Sequence, residues 1–491
     1  MKYSQFLPAI VPFLGILFSD CEKINNHKSS NPNIIYIYAD DLGIGDIGCY
    51  GQKHIQTPNI DQMAKEGIVF TQHYSGAPVC APARCSLLTG RHAGNSYVRN
   101  NMEIPDSSVF KAGQLPLPDE AITIAEVLKQ RGYATAIVGK WGLGGIESTG
   151  NPNKQGFDFF YGYADQVHAH NHFPEFLWRN GEQEYLGNSV QTVHPKFNQL
   201  FENSASEEYQ KYVGSKYSLD IMTEEAIRFI NMNQKTPFFL YLPYVVPHKA
   251  LQVPEESLEL YDGIFNEVAY VGEKGYTPHP RPLSAYAAMI TRMDQRIGEI
   301  LKHLKDIGLD DNTLVMFSSD NGPANGGGLS PQFFDSSAGL RGGKGLLYEG
   351  GIRVPFIARW PSKIPAGKKT DHISAQYDLM ATLGELVGLN VPTNDGVSFL
   401  QTLLGKEELQ KDHEFLYWEY SVGEQQAVRI GDWKGVRKRI GGNSEFHLEL
   451  YNLKIDEGEI ENVSEAHPEL IEKLEKIMAS RTPSHIDVWN F

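Results

Sequence analysis

The chain has 491 residues, 41% of them hydrophobic and 21% charged, enough for one large domain with an appendage or for two to three ordinary domains. A formal net charge of −16 argues against general affinity for nucleic acid or for anionic membranes, but leaves room for an anionic small substrate at a locally basic site. Four cysteines are too few for a disulfide framework in a chain this long.

Lys2 followed by the apolar run Phe6 to Phe18 reads as a signal peptide over residues 1–20, too short to span a bilayer. Cys21 follows Leu17-Phe18-Ser19-Asp20, roughly a bacterial lipobox in which Asp20 fits poorly. Export is expected, either as a soluble periplasmic enzyme or as an outer-membrane lipoprotein anchored through Cys21. Residues 21–32 are polar and read as a tether.

Asn33 to Ala39 is a near-continuous apolar run of β-branched and aromatic residues, the pattern of a strand buried on both faces. It ends in Asp40-Asp41, two carboxylates that repel unless a cation neutralises them, and oxygen donors suit Ca²⁺ or Mg²⁺. A solvated turn or helix cap is the plainer reading of that pair taken alone. Asn59 to Gly67 reads as a helix, and Val69 to Tyr74 as a single strand delivering Pro78-Val79-Cys80-Ala81-Pro82-Ala83-Arg84. Pro82 suits the first turn of a helix, which puts Cys80 at a helix N-terminus, where negative charge is favoured. On chemistry alone a buried structural cysteine is an equal reading.

Ala121 to Arg131 has helical spacing, and the strand Tyr133 to Val138 empties into Gly139-Lys140-Trp141-Gly142. Residues 151–188 are turn-rich and aromatic, with His168, His170 and His172 clustered. His168 and His170, two apart, face one side of an extended segment and are expected to line a sugar pocket. A helix over Ser218 to Asn233 precedes a strand over Pro237 to Val246, which ends in Pro247-His248. Residues 251–283 read as an irregular excursion and Ala285 to Leu304 as a long amphipathic helix. The strand Asn312 to Ser319 ends in Asp320-Asn321, and a glycine-rich loop over Gly322 to Gly345 carries Lys344. Val354 to Trp360 closes the strand set, and Ala375 to Leu389 reads as a helix.

Alternating strands and helices imply an α/β fold, a large and mostly parallel sheet sandwiched by helices over residues 33–410. From 411 to 491 short alternating strands and a final amphipathic helix, Pro468 to Met478, imply a small antiparallel subdomain. Taken singly, Lys140 is a solvated charge, His248 a surface residue and Asp320-Asn321 a turn. Their joint position after the ends of separate strands, where ligands of open α/β sheets bind, favours a site.

Cys80-x-Pro82-x-Arg84 continuing into Leu87-Leu88-Thr89-Gly90-Arg91 resembles the signature of the formylglycine-dependent sulfatases of the alkaline phosphatase superfamily. The resemblance extends over Ala39 to Gly43, Gly139 to Trp141, Pro247-His248, Ser319 to Gly322, Gly342 to Gly345 and Leu450 to Leu453. It implies a cysteine, Cys80, oxidised to Cα-formylglycine by a maturation enzyme, and Ca²⁺ held by Asp40, Asp41, Asp320, Asn321 and an oxygen of the modified Cys80. It further implies Lys140 and Lys344 on the sulfate oxygens, Arg84 on the formylglycine oxygen and His248 as acid for the leaving sugar. The expected substrate is a sulfated carbohydrate carrying galactose or N-acetylgalactosamine, cleaved in exo mode. A phosphomonoester or phosphonate hydrolase on the same scaffold and a non-catalytic sugar-binding relative are the alternatives. The chain departs from the family at Gly142, where a histidine is usual.

Overall fold

The computed structural model describes residues 1–2, 31–104, 113–189, 193–194, 205–272, 275–392, 394–439 and 446–491. The expected signal peptide beyond residue 2, Cys21 and nearly all of the tether therefore lie outside the described residues. Residues Pro32–Phe491 form one compact unit that includes the C-terminal sheet.

A ten-stranded mixed sheet runs through this unit, in the order Lys368–Thr370, Ile68–Phe70, Phe356–Arg359, Thr313–Ser319, Asn33–Ala39, Phe238–Pro243, Ala134–Lys140, Phe159–Tyr163, Phe176–Arg179, Glu182–Tyr185. Asn33–Ala39 lies between two parallel neighbours, Thr313–Ser319 and Phe238–Pro243. Its residues alternate between two cores: Ile35, Ile37 and Ala39 pack with one helical layer, Ile34, Tyr36 and Tyr38 with the other. A side chain such as Ile35 or Ile37, wholly buried, contributes about 1.5–3 kcal/mol on leaving water. That is why this strand reads as continuously apolar instead of alternating.

The long helix Pro282–Asp306 and the helix Ser218–Met232 cover one face, and Cys80–Thr89, Ile124–Lys129 and Asp378–Leu386 supply much of the other. Ile124–Lys129 is fixed by a capping box, Thr123 Oγ1 accepting from Glu126 N while Glu126 accepts from Thr123 N. Cys80–Thr89 is buried along its whole length and stops at Gly90, whose φ of 67° is a left-handed conformation that glycine adopts without strain.

The strand Phe356–Arg359 runs antiparallel to both neighbours, within a sheet that is otherwise mostly parallel as expected. Three expectations need correction. Val69 to Tyr74 is two strands, Ile68–Phe70 in the large sheet and His73–Tyr74 paired with Ser374–Ala375. Residues 151–188, read as turns, hold three strands, Phe159–Tyr163, Phe176–Arg179 and Glu182–Tyr185, too short and aromatic to show a clear period. His168–His170 is a 3₁₀ turn, not an extended segment.

The C-terminal sheet is antiparallel in the order Leu416–Tyr420, Gln425–Ile430, Trp433–Arg439, Phe446–Asn452, with the helix Pro468–Ala479 packed on it through Leu474 and Met478. Lys434 in this sheet ties it to the rest. Its Nζ lies 2.9 Å from Glu349 and 2.8 Å from Glu459, all three side chains fully buried.

Candidate active site

The three central strands end side by side. Asp40 and Asp41 follow Ala39, Asp320 and Asn321 follow Ser319, and the turn to His248 follows Pro243. Backbone bonds hold these ends in register, with Asp40 N donating to Val246 O and Asp320 N to Ala39 O. Asp41 has φ 65°, a left-handed conformation held by its own N–H donating to Asp320 Oδ1 at 3.0 Å.

Asp40, Asp41, Cys80 and His248 present donor atoms within 4.8 Å of one another, all four buried. The acids meet three buried or half-buried cations. Lys140 Nζ donates to Asp40 Oδ2 at 2.6 Å, Arg84 Nη2 to Asp320 Oδ2 at 2.9 Å and Asp40 Oδ2 at 3.3 Å, and Lys344 Nζ lies 2.7 Å from Asp41 Oδ1. Burial raises the Asp40 carboxyl, but Lys140, His248, Arg84 and Lys344 outweigh it and hold the group well below the usual carboxylate range. Asp320 goes the other way, pushed up to about 7 by burial and by Asp40, with Arg84 opposing. Asn321 donates through Nδ2 to Asp41, leaving its Oδ1 buried with no donor.

That arrangement fits a hard divalent cation. Asp320, pushed up by burial and by the Asp40 and Asp41 carboxylates beside it, and a buried carbonyl oxygen without a partner are what such an ion relieves. Asp40, Asp41, Asp320 and Asn321 are the residues that would hold it.

Cys80 Sγ lies 3.4 Å from Asp40 Oδ1 and 3.4 Å from Lys344 Nζ, at the first position of its helix. The next N–H of the helix, that of Ala81, is capped from a distance by Asn101 Oδ1 at 2.8 Å. The helix end does not make a thiolate here. Burial, then Asp320 and Asp40, push the thiol above its ordinary range, against Lys140 and Lys344.

His248 donates through Nδ1 to Lys249 O, which leaves Nε2 as the atom facing Asp41 Oδ2 at 3.4 Å. Burial and Lys344 hold its imidazole well below the ordinary histidine value. His170 stacks flat on His248, centroids 4.3 Å apart, and meets His194 Nε2 through Nδ1 at 2.8 Å. His168 points elsewhere, its ring against Tyr163 and Phe176. A 3₁₀ turn rotates successive side chains by about 120°, so residues two apart part company.

These groups open into a cavity of about 670 Å³, lined by Cys80, His170, His248 and Lys344 and also by Gln166, Lys249, Tyr276 and Asn101. The last four were not found in the sequence. Lys249 had the one usable signal, its place beside His248. At Gly142, φ 74°, a Cβ would stand 2.2 Å from Gln166 Nε2, so the Gln166 amide fills the space above this glycine.

The model of the sulfatase family matches residues 32–389, and that of the N-sulphoglucosamine sulphohydrolase C-terminal region matches 342–483. The N-acetylgalactosamine-6-O-sulfatase of Bacteroides thetaiotaomicron is 30% identical over 97% of this chain and 98% of that protein. Arylsulfatase A of Homo sapiens is 33% identical over 82% of this chain and 74% of its own length. Among solved structures, Ps i-CgsB in complex with k-i-k-neocarrahexaose is similar at TM-score 0.72 and 28% identity, covering 92% of each chain. Matched over most of its length by the family model, the chain belongs to the sulfatase family and is a sulfuric ester hydrolase.

Proposed function

We propose that this protein is an exported carbohydrate sulfatase that removes sulfate in exo mode from galactose or N-acetylgalactosamine units, with residue 80 as the nucleophile after conversion to formylglycine. The observation that carries it is the position of Cys80 on the cavity wall, its Sγ 3.4 Å from Asp40 Oδ1 and 3.4 Å from Lys344 Nζ, where burial and the neighbouring carboxylates disfavour a thiolate. A cavity of about 670 Å³ has room for a sugar unit, and the Bacteroides thetaiotaomicron relative makes the 6-O-sulfate of N-acetylgalactosamine the first candidate. Export, to the periplasm or as an outer-membrane lipoprotein through Cys21, follows from the N-terminal pattern.

Asp40, Asp41, Asp320 and Asn321 would hold Ca²⁺, which would supply electrophilic polarisation of sulfate and of the nucleophilic hydroxyl. The chain's own groups do the rest. Lys140 and Lys344 neutralise sulfate oxygens and the charge that builds on them in the transition state. Arg84, whose Nε is buried without an acceptor, orients the oxygen on residue 80. His248, with Nδ1 fixed on Lys249 O, offers Nε2 for the proton that the leaving sugar oxygen takes up. Its depressed basicity makes it a strong acid once an anionic ester draws a proton onto it. His170 holds that ring flat and faces the sugar. His168 acts at most through the wall of the pocket, behind Tyr163.

The test is desulfation of a panel of defined sulfated monosaccharides, followed by chromatography, beside the matching phosphate esters. Hydrolysis of sulfated galactose or N-acetylgalactosamine is expected. Turnover of phosphate esters with none of the sulfated sugars would overturn the proposal.

A further inference from the structure

The cavity contains one cation that the reaction leaves unused. Lys140, Arg84 and Lys344 each have a carboxylate at 2.6–2.9 Å. Lys249 has none among the described residues. Its Nζ donates to a neutral acceptor, Asn325 O, at 2.6 Å and lies 5.0 Å from the centroid of the Tyr276 ring. Tyr276 is itself held at φ 65°, a costly conformation for a bulky residue. The ammonium is therefore fixed in place, with donors to spare.

Two features argue against an ordinary solvated lysine. Burial lowers its basicity, with Lys344 adding to the effect and Asp41 opposing it, so the pocket tolerates the charge at a cost. Glu103, the carboxylate lining the same cavity, accepts from Gln114 Nε2 and forms no ion pair with Lys249 among the described residues. Lys249 is also shallower than the reacting centre. It is half-buried and bonded to the loop after Pro323, while Lys140 and Arg84 are fully buried on the floor. A cavity of about 670 Å³ holds much more than one sulfate group.

We propose that Lys249, fixed by Asn325 and Tyr276, binds a second anionic group of the substrate, so that the enzyme prefers sulfated sugars carrying a further sulfate ester or carboxylate. This deepens the carbohydrate sulfatase reading above and rests on it. A charge-assisted hydrogen bond to the second anion is worth roughly 10- to 100-fold in affinity.

The experiment compares kcat/KM on N-acetylgalactosamine 6-sulfate with two doubly anionic probes, the 4,6-disulfate and a 6-sulfate linked to a uronic acid. Wild type is expected to prefer at least one of the two, and which one identifies the source of the anion. Lys249→Gln should lower kcat/KM on that probe roughly 10- to 100-fold, chiefly through KM, and change the monosulfate by less than about threefold. Lys249→Arg should keep the preference. Calorimetric binding of the three sugars to Cys80→Ala gives the same comparison without turnover. Equal losses on all three probes would place Lys249 on the reacting sulfate and overturn the proposal, as would no loss on any. A wild type that neither binds nor hydrolyses any sulfated sugar overturns the carbohydrate reading itself, a distinct outcome.

Discussion

Replacing Lys434 by Met tests how the C-terminal sheet is tied to the rest of the protein. The ammonium sits between Glu349 and Glu459 with no exposed atom on any of the three side chains. Removing it leaves two carboxylates facing each other, and breaking a buried pair in this way costs about 3–5 kcal/mol. The remaining partners are unequal. Glu349 keeps the Tyr74 hydroxyl at 2.6 Å and Arg353 at 3.6 Å, while Glu459 keeps only the Glu349 N–H at 2.6 Å among its described bonds. Glu459, already raised by burial and by Glu349, then takes up a proton, which places the loss near the lower end of the range. With an unfolding entropy of about 2.1 cal/mol/K per residue, a unit of this size has about 1 kcal/mol/K at its midpoint, so Tm should fall by about 3 °C. Differential scanning calorimetry measures this, and adding Glu459→Gln should recover part of it. A Tm unchanged or raised in Lys434→Met would refute the reasoning.

If Asp40, Asp41 and Asp320 hold Ca²⁺ as proposed, chelation should lower both turnover and Tm, because the acids lose that compensating charge; at a hundredfold excess over Kd a bound ion is worth about 2.7 kcal/mol. His73, buried and held at about 3 by burial with His372 adding, stays neutral in the fold while the unfolded chain protonates near 6.5. Stability from this group is complete above pH 6.5 and declines as pH falls towards 3, by about 2 kcal/mol at pH 5, so His73→Gln should flatten the slope of urea-unfolding free energy between pH 7.5 and pH 5 by that amount. Gly142→His should lose about 1–2 kcal/mol of stability, since φ 74° is a backbone angle few side chains accept and the Gln166 amide must move off the new Cβ; an unchanged Tm would contradict this.

The strands that carry the site were legible because full burial on both faces leaves an unbroken apolar run, as in Ile34 to Ala39 and Leu314 to Phe317. Polar groups at their ends then stand out. The edge strands, from Phe159 to Tyr185, were not legible, since short aromatic segments interrupted by Gly162 and Asn180 carry no period. The split at Thr71-Gln72 between two sheets is a tertiary choice that local pattern does not encode. His168 and His170 were separated by a 3₁₀ turn whose rotation no pairwise spacing reveals. Basicities were the least legible, because Cys80 and His248 owe theirs to burial and to charges from other strands.

The claim that residue 80 works through oxygen and not sulfur is tested most directly by the mass of the peptide containing it, from protein produced with its maturation enzyme. Conversion of the Cys80 side chain to an aldehyde predicts a peptide about 18 Da lighter than the sequence mass. Fully active protein whose Cys80 peptide has the unmodified mass would contradict the account.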